Sequence, residues 1–328
     1  MKKIFLFLLL MTSIPVILTF GAGIFSDKVR LNQGGYSVES RPLGKEVLIE
    51  INGLYKSMDV EEYVLGILPG TIAADYDMET LKVQAILIRT NVLKEMQENN
   101  TSDAADLSYQ YLTVEERIAL WGDKNYEKYE DRFERAVVDT AGLIIKQEDS
   151  LIMALYHEVS IGKTASAKEV LGEDISYLQS VDSSRDVEAK NYMNLVVYTW
   201  DELKERIHIS GQNSENNEDS SEQPDEQKIS IEIEESTDNG FVKKLSVNGT
   251  AYTGEQAMEQ FSLASMNFYV EEIEDGIRFV CLGKGNGMGV SQYGANRMAL
   301  DGKKKEEIIK YYYKDVSVSS FITQISSK

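Results

Sequence analysis

Residues 58–90, MDVEEYVLGILPGTIAADYDMETLKVQAILIRT, carry the reading that decides the fold class. Asp59 is a candidate helix cap, and Glu61 and Glu62 would sit in the first turn, near the positive end of the helix dipole. A short helix is therefore predicted from Asp59 to Gly66. Asp77 is a second candidate cap, and a longer helix is predicted from about Met78 to Met96. Leu81, Ala85, Ile88 and Val92 recur at helical spacing and give that helix one buried face.

Strands flank this pair. Glu46 to Ile51 alternates in hydropathy and ends at the turn residues Asn52 and Gly53. Beyond the long helix, Tyr109 to Trp121 reads as a loop and short helix, and Tyr126 to Gly142 as a helix. Leu143-Ile144-Ile145, an acidic turn and the run from Leu151 to Tyr156 read as a hairpin. Further strands are predicted near 228–235, 243–247, 268–272 and 277–282. A glycine-rich loop follows, then helices over about 291–300 and 305–313. Helices and strands without βα alternation place the chain in the α+β class, as a mixed sheet with packed helices.

Composition narrows the function. Among 328 residues, 54 acidic side chains face 34 basic ones, for a net charge of −20. Binding to a nucleic-acid backbone requires the opposite balance, so no nucleic-acid partner is expected. The single Cys281 excludes an intramolecular disulfide and a multi-cysteine zinc site, and its apolar neighbours mark it as a buried strand residue. With only His157 and His208 besides, neither a metal site nor a cofactor is expected.

Lys2 and Lys3 precede an almost uncharged stretch from Ile4 to Phe25, long enough as a helix to span a hydrocarbon core of about 30 Å. Residues 1–25 are read as a signal anchor, with residues 26–328 as one extracytoplasmic domain. A cleaved signal peptide, for which Gly21-Ala22-Gly23 offers a site, is the other reading. Both deliver the domain across the membrane. Residues 211–227 are polar, acidic and nearly free of apolar side chains, and are read as a disordered insertion.

Three blocks stand out. The first runs from Met58 to Gly66 and on through Met78–Ala85 to Arg89-Thr90. The second is Tyr156-His157-Glu158-Val159-Ser160-Ile161-Gly162-Lys163-Thr164, continued by Tyr177 to Asp182. The third is Gly283-Lys284-Gly285-Asn286-Gly287-Met288-Gly289-Val290-Ser291-Gln292-Tyr293-Gly294-Ala295, with a late Tyr311-Tyr312-Tyr313. In order, spacing and joint presence they resemble the SpoIID/LytB (stage II sporulation protein D) family. Its members resemble lytic transglycosylases that cut stripped peptidoglycan during spore-forming engulfment, and a sister branch is described as enhancing wall amidases. The resemblance implies glycan strands as substrate, the membrane as the site of action and other cell-wall hydrolases as partners.

It also exposes a substitution. Cleaving a glycosidic bond needs a carboxylic acid whose pKa is raised by an apolar setting. In the family this glutamate lies just ahead of the long helix, in Gly-Glu-Met/Ile-Pro. Here the text is Gly70-Thr71-Ile72-Ala73, so Thr71 occupies the glutamate's place. A threonine hydroxyl has no accessible acid form near neutral pH. The family's Gly-His-Gly is altered as well, with Asn286 in place of the histidine, and Glu158 stands where relatives have serine. His157 matches, whereas the family's zinc-capable cysteines do not carry over.

Candidate roles follow. Glu158 is the candidate substitute acid, against the plainer reading of a surface or salt-bridged carboxylate. Asp75 reads as a solvated loop residue, Asp77 as a cap, and Glu79 as a charge favourable to the dipole. Gln84 and Arg89 are expected to satisfy buried partners or to contact substrate, as is His157. Asn286, Ser291 and Gln292 complete the candidate substrate-binding set, with Ser291 as helix N-cap. The glycine-rich loop lacks the Gly-Lys-Ser/Thr of a phosphate cradle; its glycines would let backbone approach a saccharide chain closely. Two functions stay open: a silent relative that grips glycan strands, and an active lytic transglycosylase with a relocated carboxylate such as Glu158.

Overall fold

The computed structural model describes residues 37–211 and 229–321. The apolar segment 1–25 lies outside the described residues, as does the expected insertion apart from Gly211, which closes a helix. No helix among the described residues is long and apolar enough to cross a membrane.

The chain begins with an antiparallel hairpin, β1 (Glu46–Ile51) and β2 (Leu54–Asp59), turned by Asn52 and Gly53, both at positive φ. Helices α1 (Val60–Thr71), α2 (Met78–Glu98), α3 (Val114–Trp121) and α4 (Asp123–Val138) follow. Then come β3 (Leu143–Gln147), β4 (Ser150–Leu151), β5 (Tyr156–His157) and the single turn α5 (Ala167–Val170). Next are β6 (Met193–Thr199), α6 (Trp200–Gly211), β7 (Ile231–Ser236), β8 (Val242–Val247), β9 (Thr250–Thr253), α7 (Gly254–Gln260), β10 (Phe268–Ile273) and β11 (Gly276–Leu282). The chain finishes with β12 (Val290–Ser291), α8 (Gln292–Leu300), α9 (Lys305–Tyr312) and β13 (Ser317–Ser320). The α+β class holds, with the strands distributed over five small sheets.

Asp59 and Asp77 cap α1 and α2, accepting from the amides of Glu61 (2.9 Å) and Glu79 (2.8 Å). Helix α1 does not stop at Gly66 but continues to Thr71. Gly66 is there for space: a Cβ on it would lie 2.1 Å from the Tyr111 ring. Helix α2 is buried on both sides rather than on one face. Leu81, Ala85, Ile88 and Val92 pack into one core cluster with α1 and α4, while Val83, Ile86 and Leu87 pack into a second with α8 and α9. A helix buried on both sides belongs at the centre of a fold, and α2, with its buried Gln84, Arg89, Thr90 and Asn91 paired internally, is the axle of this one.

The expected 143–156 hairpin is shorter than its hydropathy suggests. Only Lys146↔Leu151 and Gln147↔Ser150 pair across it, and the free edge of β3 is taken by β13. The buried Asn91 side chain of α2 then replaces a strand partner. Its Oδ1 accepts from the Ala154 amide (2.8 Å) and its Nδ2 donates to the Ala154 carbonyl (3.0 Å). Tyr156 and His157 instead pair in parallel with Val290 and Ser291. This brings the second and third sequence blocks side by side.

Between those blocks, residues 193–211 and 229–282 form a lobe of their own. Sheets β10-β11-β6 and β7-β8-β9, with α6 and α7, enclose a core that includes Phe261, Phe279, Leu203 and Leu245. The rings of Phe261 and Phe279 stack at 5.1 Å. The lobe's ends meet, since the Gly283 amide donates to the Tyr192 carbonyl at 2.7 Å. Its β6 escapes the sequence reading because apolar residues stand on both faces: Met193, Leu195 and Val197 point outward, opposite Val196 and Tyr198, which pack inward. Phe241 of this lobe packs with Ala165, Met266 and Met288, and the Gly285 amide donates to the Ala264 carbonyl (2.8 Å), so the lobe props the glycine-rich loop.

Candidate functional site

Thr71 ends α1, at the rim of a polar cluster assembled from four elements. Its Oγ1 donates back to the Leu68 carbonyl (3.0 Å), a local bond that turns the hydroxyl toward its own helix. Its carbonyl accepts from Nε2 of Gln292, the first residue of α8, at 2.7 Å. The same Nε2 reaches Oε1 of Gln84 on α2 at 3.2 Å, so Gln292 ties the ends of α1 and α8 to the axle helix. Both glutamines are buried, and Nε2 of Gln84 has no hydrogen-bond partner among the described residues. The Tyr156 phenol lies against Thr71, Gln84 and Tyr109. Burial outweighs those contacts and pushes its pKa up to about 12.

The α1–α2 loop is held from both sides. Arg132 of α4 donates to the carbonyls of Ala74 (2.9 Å) and Tyr76, and Oδ1 of Asn296 on α8 accepts from the Asp77 amide (2.7 Å). Tyr76 in this loop is also driven up to about 12, first by burial and then by the negative charges of Glu158 and Asp75.

His157 lies beside Tyr156 on β5, fully enclosed. Its Nδ1 is 2.9 Å from the Met288 carbonyl, which can only accept, so Nδ1 carries the hydrogen and Nε2 keeps its lone pair. That Nε2 is buried and has no hydrogen-bond partner among the described residues. Burial holds the imidazole below its usual pKa of 6.5, opposed by the Met288 bond and the charge of Asp186. Asp186 is the residue that sequence reasoning missed. Buried, it accepts from the Ser160 amide (2.6 Å), Ser291 Oγ (2.6 Å) and Ser183 Oγ (2.9 Å), so one carboxylate fastens three segments. Ser291 is the N-cap of α8, as expected, accepting from the Gly294 amide at 3.1 Å.

The other candidates make no hydrogen bond to Thr71, Gln84 or Gln292 among the described residues. Glu158 is partly exposed, bridged to Lys284 at 2.6 Å and accepting from Asn191. Asn286 closes a turn inside the glycine loop, its Oδ1 accepting from the Met288 amide (2.9 Å). Arg89 is 0% exposed and pairs with Glu61 (1%) through Nε at 2.9 Å and Nη2 at 2.6 Å, with further bonds to Thr140 and the Leu143 carbonyl. Of the two roles expected for Arg89, the internal one is the one occupied. Glu79 bonds Lys82 (3.3 Å) and the Lys305 amide (3.0 Å), and Asp75 is solvent-exposed. Among the described residues no three His, Cys, Asp or Glu side chains gather as a metal-binding group.

Chemically, the surroundings of Thr71 are amides and hydroxyls. They can donate to and accept from neutral polar ligands, and among the described residues no carboxylate hydrogen-bonds to Thr71, Gln84, Gln292 or Tyr156.

Residues 52–146 match the profile of the SpoIID family, stage II sporulation protein. The chain is 27% identical over 312 residues to stage II sporulation protein D of Bacillus subtilis (strain 168), covering 91% of this chain and 87% of that protein. The protein of the same name from Bacillus amyloliquefaciens is 26% identical over 305 residues, covering 89% and 84%. The amidase enhancer of Bacillus subtilis (strain 168) is 22% identical over 297 residues, covering 78% of this chain but 40% of that protein.

Proposed function

This chain belongs to the stage II sporulation protein D family, and from that premise we propose that it binds glycan strands of the bacterial wall during sporulation without cutting them. Residues 1–25 anchor it in the membrane with the folded part outside the cytoplasm, where wall hydrolases are its working partners. The observation that carries this reading is the neutral cluster around Thr71. A hydroxyl bonded to its own helix, two buried glutamines and a high-pKa phenol suit the hydroxyl and N-acetyl groups of a saccharide. None can protonate a glycosidic oxygen the way a carboxylic acid does. Glu158 does not fill the gap, because its two carboxylate oxygens are held by the Lys284 ammonium and the Asn191 amide, and neither bonds a member of the Thr71 cluster.

The test uses amidase-treated glycan strands incubated with the purified chain. Retention of glycan on immobilised protein, with no anhydro-muramyl ends by mass spectrometry, is the expected result. Release of anhydro sugars that stops on Glu158→Gln would overturn it in favour of a relocated acid.

A further inference from the structure

A cavity of about 230 Å³ opens beside the β1–β2 hairpin, and none of the residues around Thr71 except Tyr109 lines it. It is smaller than the roughly 300 Å³ of a drug-sized pocket, so it suits a single side chain. Its walls follow from strand geometry. Glu50 and Tyr55 are direct cross-strand partners and share a face of the hairpin. The segment after α2 lies along the other edge of β1, with the Leu48 amide donating to the Ser102 carbonyl at 2.7 Å and Asp103 bridged to Leu48. Asp103 therefore stands next to Glu50. Tyr109 and Tyr111 close the cavity, and Tyr111 stacks on the buried Tyr63 at 5.9 Å with a 2° tilt between rings.

What these walls offer is lopsided. Tyr63 donates to the Tyr109 carbonyl (3.2 Å), and the Tyr109 hydroxyl accepts from Asn91 (2.7 Å), so both phenols are engaged. Glu50 makes no hydrogen bond or ion pair among the described residues, and Asp103 uses one oxygen to cap a turn at the Ala105 amide (3.0 Å). No lining residue is basic. The site presents aromatic faces and unpaired carboxylate oxygens, with the Tyr55 and Tyr111 hydroxyls able to donate or accept. Two carboxylates with no basic side chain to answer them call for positive charge, and the tyrosine faces call for an apolar stem, so a cationic ligand on an aliphatic chain complements the site. We propose that this cavity binds a primary ammonium carried on an aliphatic chain, as in a lysine side chain, with Tyr55, Tyr109 and Tyr111 around the stem and Glu50 and Asp103 at the charge. The inference stands apart from the glycan reading.

Ligand-detected NMR on the full chain tests it, with Nα-acetyl-lysine methylamide as probe. Saturation transfer to the probe's methylene protons is expected, and acetylating its ε-amine should weaken binding by about tenfold. Tyr55 is 66% exposed and an asparagine at 103 keeps the turn cap, so Tyr55→Ala and the Glu50→Gln/Asp103→Asn pair should fold normally while each loses the signal. No transfer to the lysine probe, equal binding of the Nε-acetylated form, or displacement by N-acetylglucosamine at equal concentration would each overturn the proposal.

Discussion

Restoring a carboxyl at position 71 asks one side chain to recover a reaction. Partial burial would shift a new glutamate there toward its acid form, against the opposite pull of nearby amide and hydroxyl donors. Thr71→Glu is expected to yield detectable anhydro-muramyl ends from stripped glycan; none would mean that the site differs more widely than at one residue. Arg89 belongs to a different account. Arg89→Met strands Glu61 in the interior and should cost about 3–5 kcal/mol in urea unfolding, whereas adding Glu61→Gln should recover most of it. Both residues were partly legible in the sequence: Arg89 and Gln84 sit beside the apolar positions of a helix, where polar groups find buried partners. Asp186 was not. A lone aspartate in a polar stretch looks solvated, and its partners Ser160, Ser183 and Ser291 declare themselves only once the chain has folded.

Among the elements, the two capped helices were readable because caps and spacing are local. Strand β5 was not, because its partner is 134 positions away in β12 and an asparagine side chain takes over from the hairpin. Gly289, next to β12, shows how tight that junction is. At φ 68°, a Cβ on it would lie 1.9 Å from the Leu155 carbonyl oxygen, and backbone cannot give way as a side chain can. Gly289→Ala should destabilise by more than about 4 kcal/mol. Gly302→Ala, also at positive φ but with nothing within 4 Å, should cost only about 1 kcal/mol. Thermal unfolding of the two variants compares them directly.

For the whole molecule, pH acts through His157. The fold holds the neutral ring, while the unfolded chain takes up a proton as pH falls below 6.5. Stability from this group is therefore complete above 6.5 and is lost as pH drops toward the lower folded-state value, at a slope of up to about 1.4 kcal/mol per unit. Urea midpoints between pH 7.5 and 5.5 should fall for the native chain and fall less for His157→Gln. Packing links the parts: Phe241→Ala should cost about 3–5 kcal/mol and speed amide exchange in the glycine-rich loop that it supports. The lobe that supplies Phe241 returns to its own point of departure at Tyr192 and Gly283. A cassette closed at its stalk can be traded for another, or extended at its outer tip, while the helices around α2 stay as they are. Length variation among kin should therefore gather there, and the stalk is the natural graft point for a reporter.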